Sequence, residues 1–150
     1  GAREAIASTP SPTTLLGLGV DRMAKVVEGL ECSREWAVRE EHAASHLKER
    51  GVMVLSTPSL LLMIEVTARE CIDSRLPEGK LTVGTLALVR HHSPAPVGSK
   101  VMVRVRVESF DGRRVSVYGE ARVEGRLVGE VYHERRVVGL DEYLARVREG

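Results

Sequence analysis

The chain has 150 residues, with 22 Lys and Arg against 21 Asp and Glu and a formal charge of +1. That balance, with only one Trp, three Tyr and one Phe, argues against a dedicated nucleic-acid binder, which needs a basic excess on one face. Hydrophobic residues at 43% and charged residues at 29% describe a globular chain rather than a disordered one, long enough to build one core without metal or disulfide.

The longest apolar run, Leu60 to Ile64, is stopped by Glu65 and is far short of a membrane span, and the N-terminus lacks a signal-peptide pattern. Cys32 and Cys71 stand far apart with neither metal-ligand nor redox spacing, which predicts a reducing, cytoplasmic setting.

Residues 1–24 read as an N-terminal arm or lead-in, because GAREAIASTPSP is small, polar and Pro-bearing. The stretch 13–29 fits either a short helix or an irregular approach. One domain over 25–150 follows. Glu31 to Val38, with Trp36, predicts a first strand, and Glu40 to Arg50 a short helix stopped by Gly51. Ser56-Thr57-Pro58 then places a hydroxyl cap and a proline where a helix begins. Leu60, Leu61, Met63, Ile64, Ala68, Cys71 and Ile72 make that helix apolar almost all round, so it should be buried and wrapped by a sheet. It should end before the turn at Pro77-Glu78-Gly79.

Strands fill the second half. Leu81, Val83, Thr85, Ala87, Val89 and His91 predict one face of a strand at period two. Val101, Val103, Val105 and Val107 do the same for the next strand. Asp111-Gly112 predicts a two-residue hairpin, Arg113 to Glu124 the returning strand, and Glu124-Gly125 another turn. Leu127 to Val138 is the last strand and Leu140 to Val147 a closing helix. The class is α+β, a curved antiparallel sheet around a central helix.

Several polar residues interrupt the apolar pattern. Glu65 shares a helix face with Leu61, Ala68 and Ile72, and a buried carboxylate is costly unless paired. It is either the partner of an Arg, part of an oligomer contact, or functional. Thr57 is a cap or a functional hydroxyl, eight residues before Glu65 and so about 12 Å away along a helix. His91 ends its strand's inward series, as structural residue or catalyst. His133 and Arg135 fall on an otherwise apolar face, where pairing with Glu65 is the structural alternative. His42 and His46 lie one helical turn apart with no third ligand, so no metal is expected. Arg113-Arg114 and Arg135-Arg136 read as solvated strand charges, with a phosphate contact the alternative. Neither a phosphate-loop glycine spacing nor a nucleophile elbow is present.

Taken together, VMVLSTPSLLLMIE (52–65), LPEGKLTVGTLALVRH (76–91), SPAPVGSKVMVRVRV (93–107), FDGRR (110–114) and VGEVYHERRVV (128–138) resemble the fluoroacetyl-CoA thioesterase-like family. The resemblance implies the hotdog fold and hydrolysis of an acyl-CoA thioester by a threonine, a glutamate and a histidine, here Thr57, Glu65 and His91. It implies that Gly84 lies against the thioester and that Arg135, with neighbouring His133, belongs to the site. It further implies a homodimer or higher oligomer with acyl-CoA as substrate and no separate cofactor. The sequence departs from the family in two places. The segment between the first strand and the long helix, EEHAASHLKERGVMVL, has no aromatic residue, which argues against fluoroacetyl selectivity and for another small or medium acyl group. Val131 stands where the family often has glycine, narrowing the space near His133. A hotdog hydratase or dehydratase on acyl thioesters, and a non-catalytic acyl-CoA-binding module, are the alternatives.

Overall fold

The computed structural model describes residues 25–149; the arm expected over 1–24 lies outside the described residues. Strand β1 (Glu31–Ala37) leads into a 3-10 turn (Glu40–His42) and the one-turn helix α1 (Ser45–Lys48). The long helix α2 (Thr57–Asp73) follows, then β2 (Lys80–His91), β3 (Lys100–Phe110), β4 (Arg114–Val123), β5 (Arg126–Gly139) and helix α3 (Leu140–Glu149). The five strands form one antiparallel sheet in the order β1-β3-β4-β5-β2, so β1 and β2 are its edges.

The sheet curls round α2 because both partners present apolar faces. Val101, Val103, Val105 and Val107 of β3 alternate inward with 0–3% exposure, as the period-two pattern predicts. They meet Leu60, Met63, Ile64, Ala68 and Ile72 of α2, each fully buried. Two glycines set the depth of the helix. A Cβ on Gly119 of β4 would collide with Ile64, and one on Gly129 of β5 with Leu60. Without them α2 could not lie this close to the sheet, and its polar residues would not reach the strand side chains described below.

Four local expectations are revised. The helix expected over 40–50 is broken, because Ala43 bridges Leu55 and the Ala44 N–H donates to the Val54 carbonyl, pulling the chain into extended geometry between two short turns. Gly51 still closes the second turn, at φ 81°. The β3–β4 hairpin spans three residues, with Asp111 Oδ1 accepting from the N–H groups of Arg113 and Arg114. In β2 the single inward face is interrupted. Gly84 pairs with Arg135 and Leu86 with Glu134, so Thr85 is a bulge and the inward parity flips there. Thr82 and Gly84 face inward before the bulge, instead of Leu81 and Val83. Lastly, Cys32 of β1 and Cys71 of α2 form a disulfide, with Cα atoms 6.0 Å apart. Sequence analysis had read the two cysteines as a sign of a reducing setting; the fold instead brings them together by laying edge strand β1 across the helix.

Candidate active site

Two polar clusters line α2 where sequence analysis placed its anomalies. The first stands at the start of the helix. Ser56, not Thr57, is the cap: its hydroxyl accepts from the Ser59 N–H at 3.1 Å. Thr57 is thereby left as the first helical residue with its own hydroxyl free to turn outward, and Oγ1 lies 2.8 Å from His91 Nδ1. His91 Nε2 is buried without a hydrogen-bond partner among the described residues. Burial lowers the His91 pKa below its usual value, opposed by a hydrogen bond involving Ser93 and aided by neighbouring His92, so the ring is neutral at pH 7. A neutral imidazole beside a hydroxyl, with one nitrogen unused, can take or relay a proton. The neighbouring His92 points away and meets Glu130 at 2.8 Å. A cavity of about 660 Å³ opens at this pair, its apolar side supplied by Leu47, Val54 and Pro58, with His46 at its margin.

The second cluster sits two turns further along α2. Glu65 Oε2 accepts from Arg135 Nη1 at 3.2 Å; Arg135 is 3% exposed and the glutamate 39%. Arg135 is held on every side. Its Nε donates to Thr82 Oγ1 at 2.7 Å, its Nη2 to the Thr82 carbonyl at 3.0 Å, and its Nη1 also faces His133 Nε2 at 3.0 Å. Thr82 in turn donates through its hydroxyl and its N–H to Asp73 Oδ1, at 2.5 and 3.1 Å. Burial lowers the Arg135 pKa from its usual value, countered by Asp73 and Glu65, and the guanidinium stays charged.

The tautomer of His133 follows from its partners. Nδ1 lies 2.8 Å from the Leu86 carbonyl, which can only accept, so Nδ1 carries the proton and Nε2 accepts from the arginine. Burial, chiefly, lowers the His133 pKa and keeps this neutral form. Gly84 completes the cluster. A Cβ there would lie 2.8 Å from Glu65 Oε2, 3.3 Å from His133 Cε1 and 3.4 Å from Arg135 Nη1. The missing methyl therefore leaves a notch that the Glu65 carboxylate fills, beside an imidazole and a guanidinium.

All six residues singled out by sequence lie on the concave side of the sheet, but in two groups. Thr57 pairs with His91; Glu65, Gly84, His133 and Arg135 converge; among the described residues no hydrogen bond joins the groups. The ion pair that sequence analysis weighed as the structural alternative for Glu65 is present. Thr82 and Asp73, which anchor the arginine, were missed. The signal for Thr82 was its polar side chain just ahead of a Val-Gly step, obscured because the bulge at Thr85 reverses which residues face inward. His42 is engaged locally, its Nδ1 accepting from the Arg39 N–H at 2.9 Å.

The chain is similar in sequence and fold to known proteins. The profile of the fluoroacetyl-CoA-specific thioesterase family matches residues 38–141. The fluoroacetyl-CoA thioesterase of Streptantibioticus cattleyicolor is 29% identical over 96 residues, spanning 64% of this chain and 69% of that protein. A hot-dog-like protein from Thermanaerovibrio acidaminovorans superposes with a TM-score of 0.76 at 28% identity, covering 83% of this chain and 92% of its own. The solved fluoroacetyl-CoA thioesterase FlK shares the fold, with a TM-score of 0.75 at 24% identity over 84% of this chain and 98% of that one. The protein is a hotdog-fold chain belonging to the fluoroacetyl-CoA-specific thioesterase family of hydrolases.

Proposed function

We propose that the chain hydrolyses a small or medium acyl-CoA thioester to the free acid and CoA. Thr57, Glu65 and His91 are the catalytic residues, and Gly84, His133 and Arg135 receive the substrate. The observation that carries this reading is the convergence at Gly84, where the half-exposed Glu65 carboxylate lies against the glycine of edge strand β2, within reach of an acyl group laid along that edge. Arg135 fixes the bound oxygen of that carboxylate and leaves Oε1 without a hydrogen bond among the described residues.

In the reaction, the oxygen of a water bonds to the acyl carbon while Glu65 takes its proton. Negative charge builds on the former carbonyl oxygen, facing N–H groups near Gly84 or the first turn of α2, where the helix dipole favours it. The carbon–sulfur bond then breaks and the thiolate leaves with the proton that Glu65 took from the water, which returns the carboxylate to its starting form. Direct attack by Glu65, giving an anhydride that water opens, uses the same geometry. Single turnover in ¹⁸O-water separates the two, since only anhydride formation can leave label in Glu65.

Acyl choice should be broad. The segment between β1 and α2 carries no Phe, Tyr or Trp, so it offers no aromatic cover that would restrict the acyl group to fluoroacetyl. The test is thiol release over short, branched, aromatic and long acyl-CoAs, with the wild type and with Glu65→Gln. A loss of about 100-fold or more in the variant, at an unchanged melting temperature, is expected. Near-full hydrolysis by Glu65→Gln would reject the assignment. Water addition to an enoyl-CoA without thiol release would make the chain a hydratase, and tight binding without turnover a non-catalytic acyl-CoA module.

A further inference from the structure

At the far end of α2, roughly 25 Å from Thr57 by helix rise, lies a second cavity of about 710 Å³. It is bounded by the exit of α2, the β3–β4 hairpin, the end of β5 and helix α3, and none of the residues named above as catalytic or substrate-binding lines it. Its charge is lopsided. Lys25, Arg75, Lys80, Arg113, Arg136 and Arg146 line it, against Glu142 as the only carboxylate among its described lining residues. None of the six makes an ion pair among the described residues, on a chain whose net charge is only +1.

Gathering cations without counter-charges is unfavourable, since like charges a few ångströms apart repel even near water. Arg113 and Arg136 both line the cavity, one step apart in register: Arg136 pairs across the sheet with Arg114, and the Val137 N–H donates to the Arg113 carbonyl at 2.7 Å. Arg75 shows an unmet need of another kind. Its Nη1 donates to the carbonyl of Cys71 at 2.7 Å, while its Nε is buried without a hydrogen-bond partner among the described residues. Phe110 and Tyr143 line the same cavity and offer flat apolar surface. Arginine forks suit phosphate oxygens, and aromatic rings beside them suit a planar base.

We propose that this cavity binds a phosphate-bearing molecule of nucleotide size, its phosphates on Arg113 and Arg136 and its planar part on Phe110 and Tyr143. The volume fits such a ligand. The proposal stands apart from the thioesterase reading, because its readout is binding.

Calorimetric titration of the full chain with ADP, adenosine and CoA tests it. ADP should bind saturably and more weakly as salt rises, and adenosine about tenfold less tightly or worse. Arg113→Glu with Arg136→Glu should weaken ADP binding by about tenfold or more. The same charge change at Lys100 and Arg104, on another face, should leave it nearly intact, and hydrolysis of an N-acetylcysteamine thioester should be unaffected. Arg146→Ala, on the last described helix, serves if the double variant does not fold, and should also weaken ADP. CoA that displaces ADP identifies the ligand as the nucleotide end of CoA; CoA that does not displace it identifies a free nucleotide. No saturable ADP binding, or equal affinity in wild type and variants, would overturn the proposal.

Discussion

Replacing Gly84 with alanine separates the chemistry of the notch from the stability of the fold. Gly84 does not have a left-handed φ, so alanine meets no backbone strain. The added Cβ would stand 2.8 Å from Glu65 Oε2 and 3.3 Å from His133 Cε1. Ordinary contact begins near 3.4 Å, so one of the two must yield by roughly half an ångström. His133 is 2% exposed and pinned between Leu86 and Arg135, whereas the Glu65 side chain is 39% exposed and free to swing. The carboxylate therefore moves, and its hydrogen bond to Arg135 lengthens or breaks.

The stability cost is small. A partly exposed ion pair contributes at most about 1 kcal/mol, and removing a glycine from the unfolded chain returns about 0.4–1 kcal/mol. The melting temperature should shift by no more than roughly 4 °C. The kinetic cost is large, because misplacing a reacting group by about an ångström costs about 100-fold. We expect kcat/KM in a thiol-release assay to fall by about that factor. Since the effect runs through Glu65, Gly84→Ala combined with Glu65→Gln should be scarcely worse than Glu65→Gln alone. Turnover of Gly84→Ala within about threefold of wild type, or full additivity in the double variant, would refute the reasoning.

Three further outcomes follow from the site and the disulfide. Burial lowers the pKa of His91, so its neutral form persists below the usual 6.5; the acid limb of the kcat/KM profile should have its midpoint below that value and move up when His92, which depresses it further, becomes Gln. His133 is depressed in the same way, so the unfolded chain binds more protons below pH 6.5, and stability should be full above that pH and decline as pH falls, checked by melting across the range. The Cys32–Cys71 bond closes a separation of 39 residues, worth about 4 kcal/mol in the chain-entropy account; reduction should lower the melting temperature by roughly 10 °C, and denatured but unreduced protein should show no titratable thiol.

Much of the fold was legible because α2 and β3 carry strong, uninterrupted periodicity, and the hairpin glycines stand where turns require them. The candidate site was legible for the same reason: Glu65, His133 and Arg135 are polar residues in otherwise apolar registers, and a break in a strong pattern is visible. What escaped depended on contacts distant in sequence. Nothing in TVGTLAL announces that Thr85 bulges, yet that one residue decides that Thr82 rather than Val83 faces Arg135. Helix-forming composition over 40–50 lost to a bridge with Leu55, a residue the local pattern does not see. The disulfide was hidden likewise, since its two halves meet only after β1 crosses α2.

The half-exposed state of Glu65 has its own consequence. Residues 84–88 of β2 are exposed although alternate side chains of a strand in a wrapped sheet should face a core. Leu86 is 39% and Leu88 63% exposed, and β2 is a sheet edge with backbone groups open to pairing. A carboxylate that water reaches freely is a poorer base toward a thioester than one in a closed site, because water screens it and solvates its charge. A second copy laid along β2 would close the sheet edge, cover the leucines and roof the notch in a single step. We therefore expect a dimer at micromolar concentration in sedimentation. Turnover per chain should fall on dilution in proportion to the dimer remaining, and Leu88→Asp should lower both together. A species that sediments as a monomer and retains full turnover per chain would show that one copy closes its own site, and that the exposed edge serves some other purpose.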